Sequence, residues 1–173
     1  MPGKKIAIMV DEMYQVLEVW YPYYRLKEAG FAVYLLAAEA KKQYHSKEGY
    51  PCISDRAAGR SNAADYDCMV VPGGFAPDFM RRSSDVIKFA NDMVAAGKVI
   101  AATCHGGWLL CSTPIYKGKK ATCFMAIKDD ITNAGAQYID DECVVDGNLI
   151  TSRKPDDLPA FCAAIIDALN KRE

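Results

Sequence analysis

The sequence predicts an α/β fold with a mostly parallel sheet covered by helices on both faces. Two observations carry this. Short, continuously apolar runs alternate with stretches of helical spacing, the pattern of strands buried on both sides and joined by crossover helices. Glycine closes most of the helical stretches. No composition break, repeat or low-complexity segment divides the chain, so residues 1–173 read as one domain with one core.

Each element follows from local chemistry. Lys5 to Val10 is an apolar run that ends at Asp11-Glu12, the first strand. Residues 15–29 place Val16, Val19, Trp20, Tyr23 and Leu26 at helical spacing, with Gly30 as the stop. Pro22 lies inside that segment and removes the donor to the Glu18 carbonyl, so it must sit in the first turns or bend the helix. Phe31 to Leu36 is the second strand, residues 38–66 read as irregular and polar, and Cys68 to Val71 is the third strand. Asp85 to Ala96 is an amphipathic helix closed by Gly97. Val99 to Thr103 is a fourth strand that runs into Cys104-His105-Gly106-Gly107, with a helix over 108–111 behind it. Residues 129–134 read as a short helix. Asp146-Gly147 signals a hairpin between 142–145 and 149–152. A terminal helix spans 155–169 with proline at its start.

Bulk properties exclude several function classes. The chain carries 21 basic and 22 acidic residues, a net charge of −1, and 51% hydrophobic residues. No basic cluster marks a nucleic-acid surface. No apolar run approaches the ~20 residues needed to span a bilayer, so neither nucleic acid nor membrane is expected as a partner. The start, Met1-Pro2-Gly3-Lys4-Lys5, followed by an apolar stretch soon interrupted by acids, is too short for a secretion signal. The expected compartment is the cytoplasm, where thiols stay reduced. The seven cysteines are odd in number and form no C-x-x-C pair, against a disulfide framework or zinc ribbon. With only His45 and His105 available, a histidine-rich zinc site is implausible, and no metal or other cofactor is expected.

The residues that carry chemistry sit at strand ends. Ala102-Thr103-Cys104-His105-Gly106 reads as small-x-nucleophile-x-small between an apolar strand and a helix, the logic of a nucleophile elbow. Such a turn lifts Cys104 above the carboxyl edge of the sheet, where α/β proteins bind ligands. The following helix N-terminus would favour the thiolate. Val71-Pro72-Gly73-Gly74 ends the third strand. Its glycines serve either as close-approach donors to a substrate oxygen or as ordinary strand-to-helix punctuation. Neighbours on a sharp turn diverge, so His105 need not act as the base for Cys104. It is either a catalytic group or a hydrogen-bonded structural histidine.

Taken together, these motifs resemble the ThiJ/PfpI superfamily. The likeness runs from Lys5 to about Leu169 and is carried by residues 21–30, 47–50, 71–78, 102–106, 127–136 and 151–158. It is greatest toward the PfpI-like branch of intracellular protease or deglycase type. The resemblance implies a flavodoxin-like three-layer sandwich, similar to class I glutamine amidotransferases, in a single ThiJ/PfpI domain. It implies a cysteine nucleophile, Cys104, a hydrogen-bonding carboxylic acid, Glu18, a histidine, His105, and an acidic position, Asp78, supplied by a neighbouring subunit. It places Gly73, Gly74 and Lys47 toward the substrate and implies a homodimer or larger ring, with Trp20, Tyr21, Tyr23 and Tyr24 as either interface or core. Two positions depart from the family pattern: Gln15 stands where an acid is common, and Gly107 where proline is usual.

A carboxyl beside a buried thiol cannot ionise together with it, so Glu18 is expected to hold the proton against a Cys104 thiolate. That pair suits attack on a small reactive carbonyl such as methylglyoxal, giving a hydroxy acid, an activity of glyoxalase or deglycase type in stress protection. The alternatives are an intracellular cysteine peptidase and a redox-sensing or chaperone protein with an oxidisable cysteine. An amidotransferase is rejected, because no histidine follows His105 in the chain.

Overall fold

The computed structural model describes residues 3–172. Met1 and Pro2, from which the leader argument starts, and Glu173 lie outside the described residues. Eleven strands and six helices follow in chain order: β1 Lys5–Met9, α1 Val16–Glu28, β2 Ala32–Ala37, β3 Gln43–His45, β4 Pro51–Ile53, β5 Arg56–Ala57, β6 Cys68–Val71, α2 Ala76–Met80, α3 Ser84–Ala95, β7 Val99–Thr103, α4 Gly107–Leu110, β8 Lys120–Ala121, α5 Lys128–Asn133, β9 Gln137–Tyr138, β10 Cys143–Asp146, β11 Leu149–Ser152 and α6 Leu158–Asn170.

Seven strands form the central sheet in the order β10-β11-β7-β6-β1-β2-β5. All its pairings are parallel except β10 with β11. Helices α1 and α6 pack together on one face, and α3 and α4 on the other. This is the three-layer, flavodoxin-like α/β arrangement the sequence predicts. The physical reason is visible in β6 and β7, where every residue is buried. A strand apolar on both sides is stable only when both sheet faces are covered.

The chain order reverses at β1. From β1 it moves to β2 on one side, and later to β6 and β7 on the other. A crevice opens at the carboxyl ends of strands flanking such a switch.

The structure corrects the local reading in three places. Residues 38–66, expected to be irregular, contain the β3–β4 hairpin, β5 and two 3-10 turns. Their strands of two or three residues are too short to show a period, yet Tyr44, Cys52, Ala58 and Tyr66 are buried. The β10–β11 hairpin turns at Gly147-Asn148, one residue later than Asp146-Gly147, because Asp146 still pairs with Leu149 and Gly147 supplies the positive φ of 63°. The terminal helix begins with a 3-10 turn, Pro155–Asp157, before α6. No helix among the described residues is long and apolar enough to cross a membrane.

Candidate active site

Cys104 has a φ of 56°, in the left-handed region that side chains avoid. Holding a non-glycine residue there costs about 1–2 kcal/mol, so the packing around it must impose the turn. Gly106 shows how. A Cβ at that position would lie 2.2 Å from the Val71 carbonyl oxygen, so β6 and the β7 turn touch where only glycine fits. The Cys104 carbonyl is held from outside by the Phe124 N–H at 3.3 Å. Gly107 is accounted for by packing: a Cβ there would meet the buried Tyr116 hydroxyl at 2.8 Å.

The result is a sulfur at the rim rather than in the core. Cys104 is 9% exposed and lines a cavity of about 550 Å³ together with Met13, Gln15, Glu18, Lys47, Gly74, Phe75, His105, Trp108, Phe124, Lys154 and Pro155. The cavity collects residues that follow the carboxyl ends of β1, β6, β7 and β11, the crevice expected of a parallel sheet. The other six cysteines stand apart from it. Cys52, Cys68, Cys123 and Cys162 are buried, and Cys111 and Cys143 half-buried.

Glu18 enters from α1. Gln15 caps that helix, its side-chain oxygen accepting the Glu18 N–H at 2.9 Å. An acid at this third position would ordinarily fold back onto the cap N–H. Here the Gln15 N–H is taken by the Gly73 carbonyl at 3.3 Å, and the Glu18 carboxyl turns inward. It is 0% exposed. Its Oε2 accepts the Gly73 N–H at 2.6 Å, Oε1 has no partner of hydrogen-bonding geometry, and the carboxyl lies near enough to the Cys104 side chain for the two groups to interact. Gly73 is the joint: a Cβ there would meet Glu18 Oε2 at 2.7 Å, His105 N at 2.8 Å and Cys104 Cβ at 2.9 Å.

Burial pushes the Glu18 carboxyl up to about 7, against the pull of the Gly73 N–H, the Cys104 side chain and the Lys47 charge. Burial, then the neighbouring Glu18, push the Cys104 thiol up to about 12, while the His105 and Gly74 N–H groups favour the anion. Desolvation thus works against the expected thiolate. The physical reason is that α4 has only four residues. A helix that short offers little dipole against desolvation.

His105 does not diverge from its neighbour. Its Nδ1 lies 3.3 Å from the Cys104 sulfur, because the turn continues as a 3-10 helix over residues 104–106. The ring stacks on Phe124, with centroids 5.1 Å apart, and meets Trp108 edge-on at 5.2 Å. Burial, then Lys47, lower its pKa against the pull of Asp130, so the imidazole is neutral at neutral pH.

Gly74 and His105 direct backbone N–H groups at the sulfur. Two donors converging beside a nucleophile can hold the oxygen of an attacked carbonyl. One expected residue stands differently: Gly73 does not line the cavity, and its N–H is committed to Glu18. Asp78, expected to act from a neighbouring subunit, sits on α2 outside this chain's own cavity and pairs with Arg82 one turn on. Sequence reasoning missed Lys154, Pro155, Trp108 and Phe124. Lys154 and Pro155 follow β11, the parallel neighbour of β7, and reach the same rim through a pairing that no local sequence pattern shows. Among the described residues no group of three or more His, Cys, Asp or Glu side chains is placed to hold a metal ion.

An α/β sandwich with a cysteine held at positive φ above its sheet and a buried acid beside it defines the class of the fold and site. The chain belongs to the DJ-1/PfpI family, which matches residues 4–168. It is 38% identical over 165 residues to the deglycase PfpI of Pyrococcus furiosus, spanning 95% of this chain and 99% of that one. It is 40% identical over 159 residues to YraA of Bacillus subtilis, whose name proposes a cysteine protease, spanning 92% and 94%. Its fold matches, at TM-score 0.94 and 41% identity, a two-domain protein of Anabaena variabilis that joins a DJ-1/ThiJ/PfpI-like to a ferritin-like domain. That match covers 97% of this chain and 48% of the other, so the chain spans about half of that protein.

Proposed function

We propose that this protein is an enzyme that uses Cys104 on small reactive carbonyls, with glyoxalase or deglycase chemistry. The single observation that carries the reading is the buried Glu18. One carboxyl oxygen is fixed by the Gly73 N–H and the other has no hydrogen-bond partner, with the carboxyl beside the Cys104 side chain. A free lone pair beside a thiol is a proton acceptor placed for attack.

On a 2-oxoaldehyde the sequence balances as follows. Ionised Glu18 takes the thiol proton as sulfur bonds to the aldehyde carbon, and the Gly74 and His105 N–H groups hold the resulting oxyanion. Glu18 then returns the proton to that oxyanion. Its regenerated carboxylate moves the hydrogen on that carbon to the adjacent carbon through an enediol, the first carbon's hydroxyl proton passing to the second carbon's oxygen. The first carbon is thereby oxidised to a thioester and the second reduced to an alcohol. Water hydrolyses the thioester, releasing a 2-hydroxy acid and the thiol. Neutral His105 Nδ1, at 3.3 Å from the sulfur, is available to relay a proton during hydrolysis. The name of the Pyrococcus relative supports this reading.

The test is lactate formation from methylglyoxal. Cys104→Ala and Glu18→Ala are expected to lower kcat/KM by at least about 1000-fold and 100-fold, the scale of losing a nucleophile and a general base. Unchanged turnover in either variant removes the mechanism. A peptidase is the second reading, favoured by the Cys104–His105 contact. It predicts cleavage of unstructured peptides by the same sample, lost on Cys104→Ala.

We also place the protein in the cytoplasm as a homo-oligomer. Leu17, Tyr21 and Tyr24 leave an exposed, partly aromatic face on α1, suited to a second copy, and the family resemblance assigns Asp78 to a neighbouring subunit's site. Light scattering on the assayed sample reads the assembly. A monomer with full activity would rule out any role for a partner's acid.

A further inference from the structure

The charge lining the cavity is unbalanced. Its ionisable side chains are Glu18, Cys104, His105, Lys47 and Lys154. Burial favours the uncharged forms of Cys104, His105 and Glu18, and one Glu18 oxygen is already bonded to Gly73. The two lysines remain. Lys47 makes no ion pair among the described residues, and its charge is felt at both Glu18 and His105. Its backbone is anchored, the N–H donating to the Tyr14 carbonyl at 3.0 Å. Lys154 enters from the other side, after β11, and shares its ammonium with the exposed Asp156 at 3.1 Å. The neighbouring Arg153 is not available, because Asp157 and Asp140 hold its guanidinium.

The oxyanion formed on attack gains from positive charge nearby, but two lysines in a cavity of about 550 Å³ do more than that. They recognise a substrate that brings its own negative charge. One lysine is free and the other is already shared, so a single carboxylate balances the pair better than a dianion.

We propose that Lys47 and Lys154 form a cationic clamp for the carboxylate of an anionic 2-oxoaldehyde, whose aldehyde carbon lies against Cys104. Lys154 is then a specificity-determining residue. The proposal rests on the carbonyl-enzyme reading for turnover, but not for binding. The reaction class that consumes the product is one that takes a 2-hydroxy dicarboxylic acid.

The experiment pairs two substrates of equal chain length. 4,5-Dioxopentanoate carries the carboxylate, and 2-oxopentanal carries a methyl group in its place. In the first, attack, proton transfer and hydrolysis as written above give 2-hydroxyglutarate. Wild type is expected to favour the anion by about tenfold or more in kcat/KM at low salt, less at high salt. Lys154→Gln and Lys47→Gln should each cut that preference about fivefold, mainly through KM, the scale of one partly exposed charge-assisted contact. Lys154→Arg should keep it. Equal kcat/KM for the two substrates, or a preference unmoved by Lys154→Gln, overturns the clamp.

If neither substrate turns over, the carbonyl reading fails and calorimetry decides the clamp alone. 4-Oxopentanoate should bind and 2-pentanone should not, with binding lost in the double Lys→Gln variant. Absence of that difference overturns the proposal.

Discussion

The turns that end β6 and β7 lie side by side and are built differently. After β6 come Gly73 and Gly74, which present no side chain. One N–H fixes Glu18, and the other points at the sulfur. After β7 comes Cys104, which adopts a glycine-like φ of 56° while keeping its side chain. One turn offers backbone donors and the other offers sulfur. They fit together only because each lacks a Cβ where the other presses, Gly73 against Cys104 and Gly106 against Val71. Strain is placed where the packing on both sides can impose it.

Breaking that fit has the largest expected effect. Gly106→Ala puts a methyl 2.2 Å from a backbone oxygen of β6, which has no flexible end to move. Overpacking of this kind costs about 3 kcal/mol or more, so urea unfolding should show a collapse in midpoint or no folded protein. A variant within about 1 kcal/mol of wild type would mean that the two turns are not in contact.

A second effect sharpens the role of the β6 turn in holding Glu18. The unfolded carboxyl ionises near 4.5, and burial delays this to about 7 in the fold. Between those values the native state binds the extra proton, so stability falls as pH rises, by about 3 kcal/mol in total. Glu18→Gln should remove that slope, and Glu18→Gln should also abolish the rise of kcat/KM as pH increases through about 7. Parallel stability curves for the two proteins between pH 4 and 8 would show the carboxyl to be solvated.

The smallest effect isolates the strain at the β7 turn. Cys104→Gly relieves the positive φ, and Cys104→Ala does not. After the entropy cost of glycine, the Gly variant should be more stable by about 0.5–1 kcal/mol. An Ala variant equal to or better than Gly would place the backbone outside the left-handed region.

Burial separates what could be read in advance from what could not. β1, β6 and β7 were legible because they are apolar on both faces, and the Cys104 elbow because small residues flank it at fixed spacing. Contact between Glu18 and Cys104 came from resemblance alone, since 86 positions separate them and no local pattern joins α1 to β7. Lys154 stood in the sequence as one more charged residue before a proline. It acquires meaning only because β11 runs parallel beside β7 and ends at the same rim.

The sequence by itself determined the layers, the strand that carries the sulfur and the glycines that permit the turn, because these depend on the period of apolar residues and on steric limits at single positions. Only the tertiary structure decided which groups share one cavity and which hold protons there. Both depend on desolvation and on distances between segments far apart in the chain, and local pattern records neither.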